Sequence, residues 1–456
     1  MKFGGTSVED ADAFARVAAI VRAPLGGENS PVVVVVSAMS RVTDALLESV
    51  RLAAETRSAD SALPTLDHHL QRHADVARAL LTTTQGAEFA RLLEQSRGEL
   101  IELLRQVAAG EMPVPVLRDV IVSYGERLSA TLLAGTLDAA GVPARYVDAR
   151  RCVITDDEHG RAAPLVEQTN ARTRAHLAPL LAERVVPVLG GFIGATVSGA
   201  TTTLGRGGSD YTAALVGAAL GAREVQIWTD VTGVMTADPR VVANARTIAR
   251  LSYAEAAELA YFGAKVLHPK TIQPAIAANI PVRVCNSRAP HEEGTIVCGE
   301  REFSPLAVKA LAHKKGITVL QITAARMLGA YGFLRAIFEI FERHRTSVDI
   351  VTTSEVSVSL SIDDTRALPA IIQDLETLGA VDVEHGRAVV CVVGEGLRDT
   401  PGVAAHVFAH VSDINISLIS QGSSNVNLTF VVDEARAAEA VARLHAAFFG
   451  HPPAVA

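Results

Sequence analysis

Three short runs in the first half of the chain, PVVVVVS at 31–37, VVPVLGGF at 185–192 and EVQIWTD at 224–230, are apolar with little of the in-out alternation of a half-exposed strand. Strands of that kind hide both faces, as in parallel sheets covered by helices on either side. Alanine- and leucine-rich helical patterns separate them up to about residue 300, so this stretch is predicted to be α/β with a doubly covered, parallel-rich sheet. Each strand runs into glycine, serine, threonine or aspartate, and open sheets of this type bind ligands beyond the carboxyl ends of their strands. Residues 50–110, rich in Leu, Glu, Arg and His, read as a helical excursion with a solvated face.

A chain of 456 residues has room for two to four domains. Its 49% hydrophobic and 20% charged composition is that of a globular protein. A net charge of −8 gives no reason to expect a nucleic-acid or membrane partner, so an anionic substrate must meet local positive charge. Cys152, Cys285, Cys298 and Cys391 are scattered without CxxC pairing, and the histidines show no HExxH spacing. We therefore expect reduced thiols, a structural His268 and no protein-held metal. The N-terminus has no basic segment followed by an apolar run, and the stretch PVVVVVSAM is too short to span a bilayer; a cytoplasmic location is the expectation.

Two loops carry candidate chemistry. MKFGGTS opens the chain with a lysine, paired glycines and two hydroxyls. Glycines allow φ > 0 and close approach of backbone N–H groups to phosphate; the alternative is an ordinary strand-to-helix turn. TTTLGRGGSDYTAALVGAALGA at 201–222 is a hydroxyl- and glycine-rich loop running into a helix that ends at Gly221, and a helix N-terminus there offers unpaired N–H groups to an anion. It contains no GxxxxGK followed by Ser or Thr, and Asp210 stands where GxGxxG needs its third glycine, so neither common nucleotide loop is present. Arg206 and Asp210 are opposite charges inside this loop, a placement that favours a functional reading over a solvated turn.

Together with these, KFGGTSV at 2–8, SYGERLS at 123–129, TTTLGRGGSD at 201–210, WTDVTGV at 228–234, DPR at 238–240 and FGAKVLHP at 262–269 resemble the aspartokinase family in order and spacing, most closely its lysine-sensitive, single-function branch. The resemblance implies an amino-acid-kinase fold that transfers the γ-phosphate of ATP, with Mg2+ carried by the nucleotide, to the β-carboxylate of L-aspartate. By resemblance Lys2, Gly4 and Gly5 cradle phosphate and Asp210 orients Lys2. A carboxylate nucleophile has no proton to lose, so Asp210 is not read as a general base. Arg206 and Glu126 resemble the residues that take the substrate's α-carboxylate and α-ammonium, with Ser37, Thr43 and Ser209 adding hydroxyls. Read without the family, Glu126 equally suits an acid opening the helical run ERLSATLLAGTLDAA. Thr229, Asp230, Arg240 and Lys265 resemble the nucleotide contacts. Lys265 follows a predicted helix opened by a Ser252–Glu255 capping box and ended at Gly263. Met235 stands where the family carries an aromatic residue.

Beyond residue 305 the pattern becomes α+β and repeats: SEVSVSLSID at 354–363 and SNVNLTFVVD at 424–433 each follow another strand and, before it, an apolar-striped helix, Leu334/Ile337/Phe338/Phe341 or Ala404/Val407/Phe408/Val411. Two such copies resemble a pair of ACT domains. The implied organisation is a kinase domain over 1–300, a first ACT domain over 301–386 and a second over 387–456, assembled at least as a homodimer. In the lysine-sensitive branch an amino-acid effector, L-lysine with threonine as the rival, maps onto Met327, Gly332, Leu334, Ser347, Val348, Asp349, Ser354 and Glu355. Asp349, read as the start of a strand, is the expected partner of the effector's ammonium. A silent amino-acid sensor and a sister kinase for another carboxylate or carbamate are the alternatives.

Overall fold

The computed structural model describes residues 1–25, 31–263, 267, 269–302, 307–329, 331–422 and 424–450. By internal packing the chain divides into two compact units, Met1–Val234 with Val266–Gly299, and Met235–Lys265 with Glu300–Ala456. Residues 235–265 therefore group with the C-terminal part: Ala237 and Val242 are buried in its core beside Leu311, Val390 and Leu428.

In the first unit seven strands lie side by side in the order Ala144–Val147, Val186–Gly190, Val34–Val36, Lys2–Phe3, Val225–Thr229, Val282–Asn286 and Thr295–Cys298. All neighbours are parallel except the last pair. The three apolar runs are thus adjacent or nearly adjacent strands, buried at Val34, Val36, Val188, Leu189 and Ile227. Lys2–Phe3 is only two residues long yet sits in the middle of the sheet, Lys2 facing Val35 on one side and Ile227 on the other. Helices Val42–Thr56, Leu63–Leu80 and Thr83–Ala109 form the helical excursion. A separate three-stranded sheet joins Ile154–Thr155, Ile193–Thr196 and Thr201–Thr203.

Helix Val114–Ala139 is buried almost all round, with Leu117, Ile121, Leu128, Leu132, Leu133 and Leu137 inside the core. A helix with no solvated face is a core element, not an amphipathic cover. Glu126 lies in the middle of it, which corrects the reading of this acid as the first residue of a helix stabilised by the dipole. Helix Gly208–Leu220 does end at Gly221, whose φ of 62° supplies the left-handed cap.

The second unit is built on a six-stranded sheet in the order Val351–Thr353, Ser357–Ile362, Ala310–Thr323, Ala380–Val393, Asn427–Asp433 and Ile416–Gln421, antiparallel throughout. Two fourteen-residue strands form its centre. Their register shifts between Lys314 and Val319, beside Gly316 and Gly386, both in the left-handed region. On one side of the shift Leu320, Ile322 and Val383 pack with helices Phe333–Arg343 and Leu368–Glu376. On the other, Leu311, Val390 and Val392 pack with helices Val403–Ala409 and Glu434–Phe449. The repeat in the sequence is therefore two modules on one sheet, and residue 386 falls inside a strand that both share. Of the first module's apolar helix stripe, Ile337 and Phe341 are buried while Leu334 and Phe338 are each 41% exposed.

Because Leu133 is fully buried among large side chains of that helix and its neighbours, Leu133→Ala should cost about 2–5 kcal/mol. The check is a lowered urea midpoint for the transition of the first unit with an unchanged slope.

Candidate active site

The strand Lys2–Phe3 delivers Gly4 and Gly5 to the carboxyl edge of the sheet, where Gly4 N–H donates to Trp228 O at 3.1 Å and Ser40 N–H donates to Gly5 O at 3.2 Å. Gly4 has φ −74° and Gly5 is outside the left-handed region, so the expectation that these glycines supply positive φ is not met. What position 5 requires is space, since a Cβ there would lie 3.1 Å from Ala38 O. Positive φ is found instead at Gly205 and Gly207, both at 74°, which bracket Arg206 and leave its side chain exposed at the start of helix Gly208–Leu220. The first turn of that helix carries Ser209, whose hydroxyl accepts from Ser37 Oγ at 2.9 Å, and Asp210, whose carboxylate meets Lys2 Nζ at 2.7 Å.

Glu126 enters from the buried helix and is 3% exposed. Glycine at 190 lets helix and strand close together, because a Cβ there would fall 2.9 Å from Glu126 Cβ. Burial pushes the Glu126 carboxyl up to about 8 against the opposing hydrogen bond from the Ala38 backbone. Its Oε2 is buried with no hydrogen-bond partner among the described residues. An unpaired carboxylate oxygen in a cavity wall is costly, and a bound cation removes that cost.

Lys2, Gly4, Gly5, Ser37, Thr43, Glu126, Arg206, Ser209, Asp210, Thr229 and Asp230 all line one cleft of about 870 Å³ in the first unit. Thr229 and Asp230 lie at the end of strand Val225–Thr229, where Thr229 Oγ1 donates to Asp230 at 3.2 Å and Thr229 O accepts from Ser287 N–H at 2.8 Å. Arg240 and Met235 belong to the second unit, where Arg240 is exposed and paired with Asp238 at 2.6 Å. Lys265 and His268 lie outside the described residues.

The cleft also contains residues that sequence reasoning missed, among them Arg41, Arg118, Asp119 and Phe192. Asp119 is fully buried and accepts from Thr203 Oγ1 at 2.8 Å and Gly160 N–H at 2.9 Å, with His159 Nδ1 at 2.9 Å. It thereby ties the 156–163 loop and strand Thr201–Thr203 to the helix bearing Glu126. A signal was present: two acids seven residues apart on one face of an apolar helix.

In the second unit Met327 and Val348 pack against the core of the first module, and Gly332 caps helix Phe333–Arg343 at φ 82°. Leu334, Ser347, Ser354 and Glu355 are exposed. Ser354 closes the turn into Ser357–Ile362, its Oγ 2.8 Å from Ser357 Oγ. Asp349 precedes its strand, which begins at Val351, and is already engaged: Lys314 Nζ lies 3.3 Å from its carboxylate and the Tyr261 hydroxyl donates to it. Among the described residues no group of three or more His, Cys, Asp or Glu is arranged to hold a metal, and no helix is long and apolar enough to cross a membrane.

A cleft at the carboxyl edge of a parallel sheet, lined by a lysine-bearing glycine loop and a helix N-terminus, defines an amino acid kinase: the amino acid kinase family matches residues 1–286, and an ACT domain matches residues 390–448. The chain is 41% identical to the lysine-sensitive aspartokinase 3 of Escherichia coli, covering 98% of both chains, and 38% identical to the chloroplastic aspartokinase 3 of Arabidopsis thaliana, covering 98% of this chain and 81% of that one. It is similar in structure to E. coli aspartokinase III in complex with aspartate and ADP, with a TM-score of 0.82 at 39% identity over 98% of this chain and 99% of that one. To the same enzyme in complex with lysine and aspartate the TM-score is 0.80 at 38% identity, covering 98% of each chain. The chain belongs to the aspartokinase family.

Glu126 gives a pH test with a fixed sign. With its carboxyl raised to about 8, the free protein holds it protonated at neutral pH, and an ammonium ligand requires the carboxylate. The apparent affinity for L-aspartate should rise by up to about tenfold per pH unit from 6.5 and level off above about 8. Aspartate KM measured across this range should follow that curve, and Glu126→Gln should flatten it.

Proposed function

We propose that this chain transfers the γ-phosphate of ATP to the β-carboxylate of L-aspartate, giving 4-phospho-L-aspartate, and that an amino acid, L-lysine, inhibits it at the first ACT module. The observation that carries the substrate reading is the unpaired, buried Glu126 oxygen in a cleft that also exposes Arg206: one α-ammonium and one α-carboxylate satisfy both. An arginine fork grips a carboxylate in two places, while Ser37, Thr43 and Ser209 add hydroxyl contacts. The relative's complex with aspartate and ADP supports the same pair of substrates.

Phosphoryl transfer asks mainly for positioning and for positive charge around the moving group. Lys2 supplies that charge, and Asp210 at 2.7 Å holds its ammonium in place beside the Gly4–Gly5 backbone. The β-carboxylate attacks as it stands, so no side chain has to remove a proton. Thr229 and Asp230 take the nucleotide in this reading. Asp210 is occupied by Lys2 while Asp230 is exposed, a donor set that fits Mg2+ held chiefly by phosphate oxygens and water with Asp230 beside it. When bound, the ion neutralises phosphate charge. The apolar side chains Leu334, Phe338, Val351 and Val356, all exposed on the first module, support a homodimer formed through the ACT sheet.

Incubation with MgATP, L-aspartate and hydroxylamine should trap the acyl phosphate as a hydroxamate; none above background, with folded protein confirmed, would leave an amino-acid sensor without kinase activity. In the same assay Lys2→Met should lower kcat by roughly a hundredfold or more with little change in aspartate KM.

Lysine is expected to inhibit without competing for the aspartate site, as the relative's complex with both lysine and aspartate supports. Asp349→Ala should weaken that inhibition strongly while leaving uninhibited kcat within a few-fold; an undiminished response in the variant removes Asp349 from the effector site.

A further inference from the structure

The acid assigned to the effector's ammonium is not free. Lys314, on the long strand Ala310–Thr323 at the point where its register shifts, directs its ammonium to Asp349 at 3.3 Å and to Asp363 at 2.7 Å. The same ammonium lies 4.9 Å from the centre of the Tyr261 ring, and the Tyr261 hydroxyl donates to Asp349. All four residues belong to the second unit. The Asp349 side chain is only 3% exposed, whereas Asp363 is 40% exposed. Asp349 is therefore the member that must have a partner, because a buried carboxylate stripped of its cation is strongly destabilising. Burial and the Asp349 hydrogen bond both push the Tyr261 hydroxyl well above its ordinary value, so it remains a donor at any working pH.

We propose that Lys314 is a built-in occupant of the effector's ammonium position, and that L-lysine binds by displacing it from Asp349 and releasing Tyr261. This rests on the reading of Asp349 as part of the effector site. The exchange is one ammonium for another, so the buried carboxylate is never left bare, and Lys314 retains the half-exposed Asp363 as its partner. A neutral side chain cannot make this exchange: threonine in the same position would leave Asp349 buried and unpaired. The site is thus selective for an amino acid whose side chain ends in a cation. Tyr261 is the last residue of helix Tyr253–Tyr261, so the exchange reaches the end of that helix. While Asp349 holds Tyr261, the end of that helix is pinned to the first module; lysine binding unpins it. Ligand and latch compete for one carboxylate, so each weakens the other by the same factor.

The test is L-lysine and L-threonine binding by titration calorimetry to the full chain, its Lys314→Met and its Tyr261→Phe variants, with kinase inhibition measured in parallel. Removing the internal competitor should tighten lysine binding, by about fivefold or more in Lys314→Met and by a smaller factor in Tyr261→Phe, with the concentration for half inhibition falling in step. Threonine should not bind the parent. Tyr261→Phe keeps the Lys314 pair and the ring, so it reports even where Lys314→Met fails to fold. Lysine binding that is unchanged or weaker in the variants, or threonine binding to the parent as well as lysine, overturns this proposal alone. Absence of lysine binding to the parent overturns the effector reading and this proposal with it.

Discussion

A buried ammonium in the middle of a parallel sheet must have a counter-charge, and in the first unit the partner chosen for Lys2 fixes much of what surrounds it. Lys2 is 9% exposed on a strand of two residues. Taking such a charge out of water costs several kcal/mol unless it is paired. Asp210 provides the pairing from the first turn of Gly208–Leu220, so the start of that helix is drawn to the centre of the sheet edge. Ser209 then reaches Ser37, and the two left-handed glycines before it turn Arg206 outward into the cleft. One ion pair thus joins the central strand to the start of that helix, and the Ser37–Ser209 bond adds the neighbouring strand end.

Glu126 is the complementary case in the same cleft. It too is buried, but its neighbours leave one oxygen unmatched, and its proton affinity rises accordingly. A paired charge organises the cleft; an unpaired one gives it something to bind. Asp119, seven residues earlier on the same helix, is buried and fully engaged, and it keeps the helix in register with the walls around it.

Much of this was legible in the chain itself. Continuous valine runs identified the buried strands, the repeat announced two modules, and the motifs resembling the aspartokinase family picked out the residues that the cleft assembles. What escaped detection is long-range. Nothing local tells that the helix containing Glu126 begins at Val114 and is buried all round, because its polar residues at 123–127 look like a boundary. Gly5 answers crowding whereas Gly205 and Gly207 answer backbone conformation, a distinction that depends on Ala38, far away in sequence from Gly5. Asp349 was identified as an acid awaiting a cation, but its resident cation comes from a strand 35 residues earlier and its phenol from 88 residues earlier. Pairings at that separation leave no periodic trace.

The two long central strands bear on how such a protein can change over generations. Ala310–Lys314 precedes the first module in the chain yet pairs with Val389–Val393 beside the second, while Ile317–Thr323 and Ala380–Arg387 serve the first. Neither module is a contiguous cassette. Recombination that exchanged one for a relative's would have to cut both strands at their matching shift near Gly316 and Gly386, and a one-residue change in length on one side would turn every inward side chain of the other outward. The pair is therefore inherited as a unit, and divergence in what it senses must come from side chains such as those around Asp349, not from shuffling of modules.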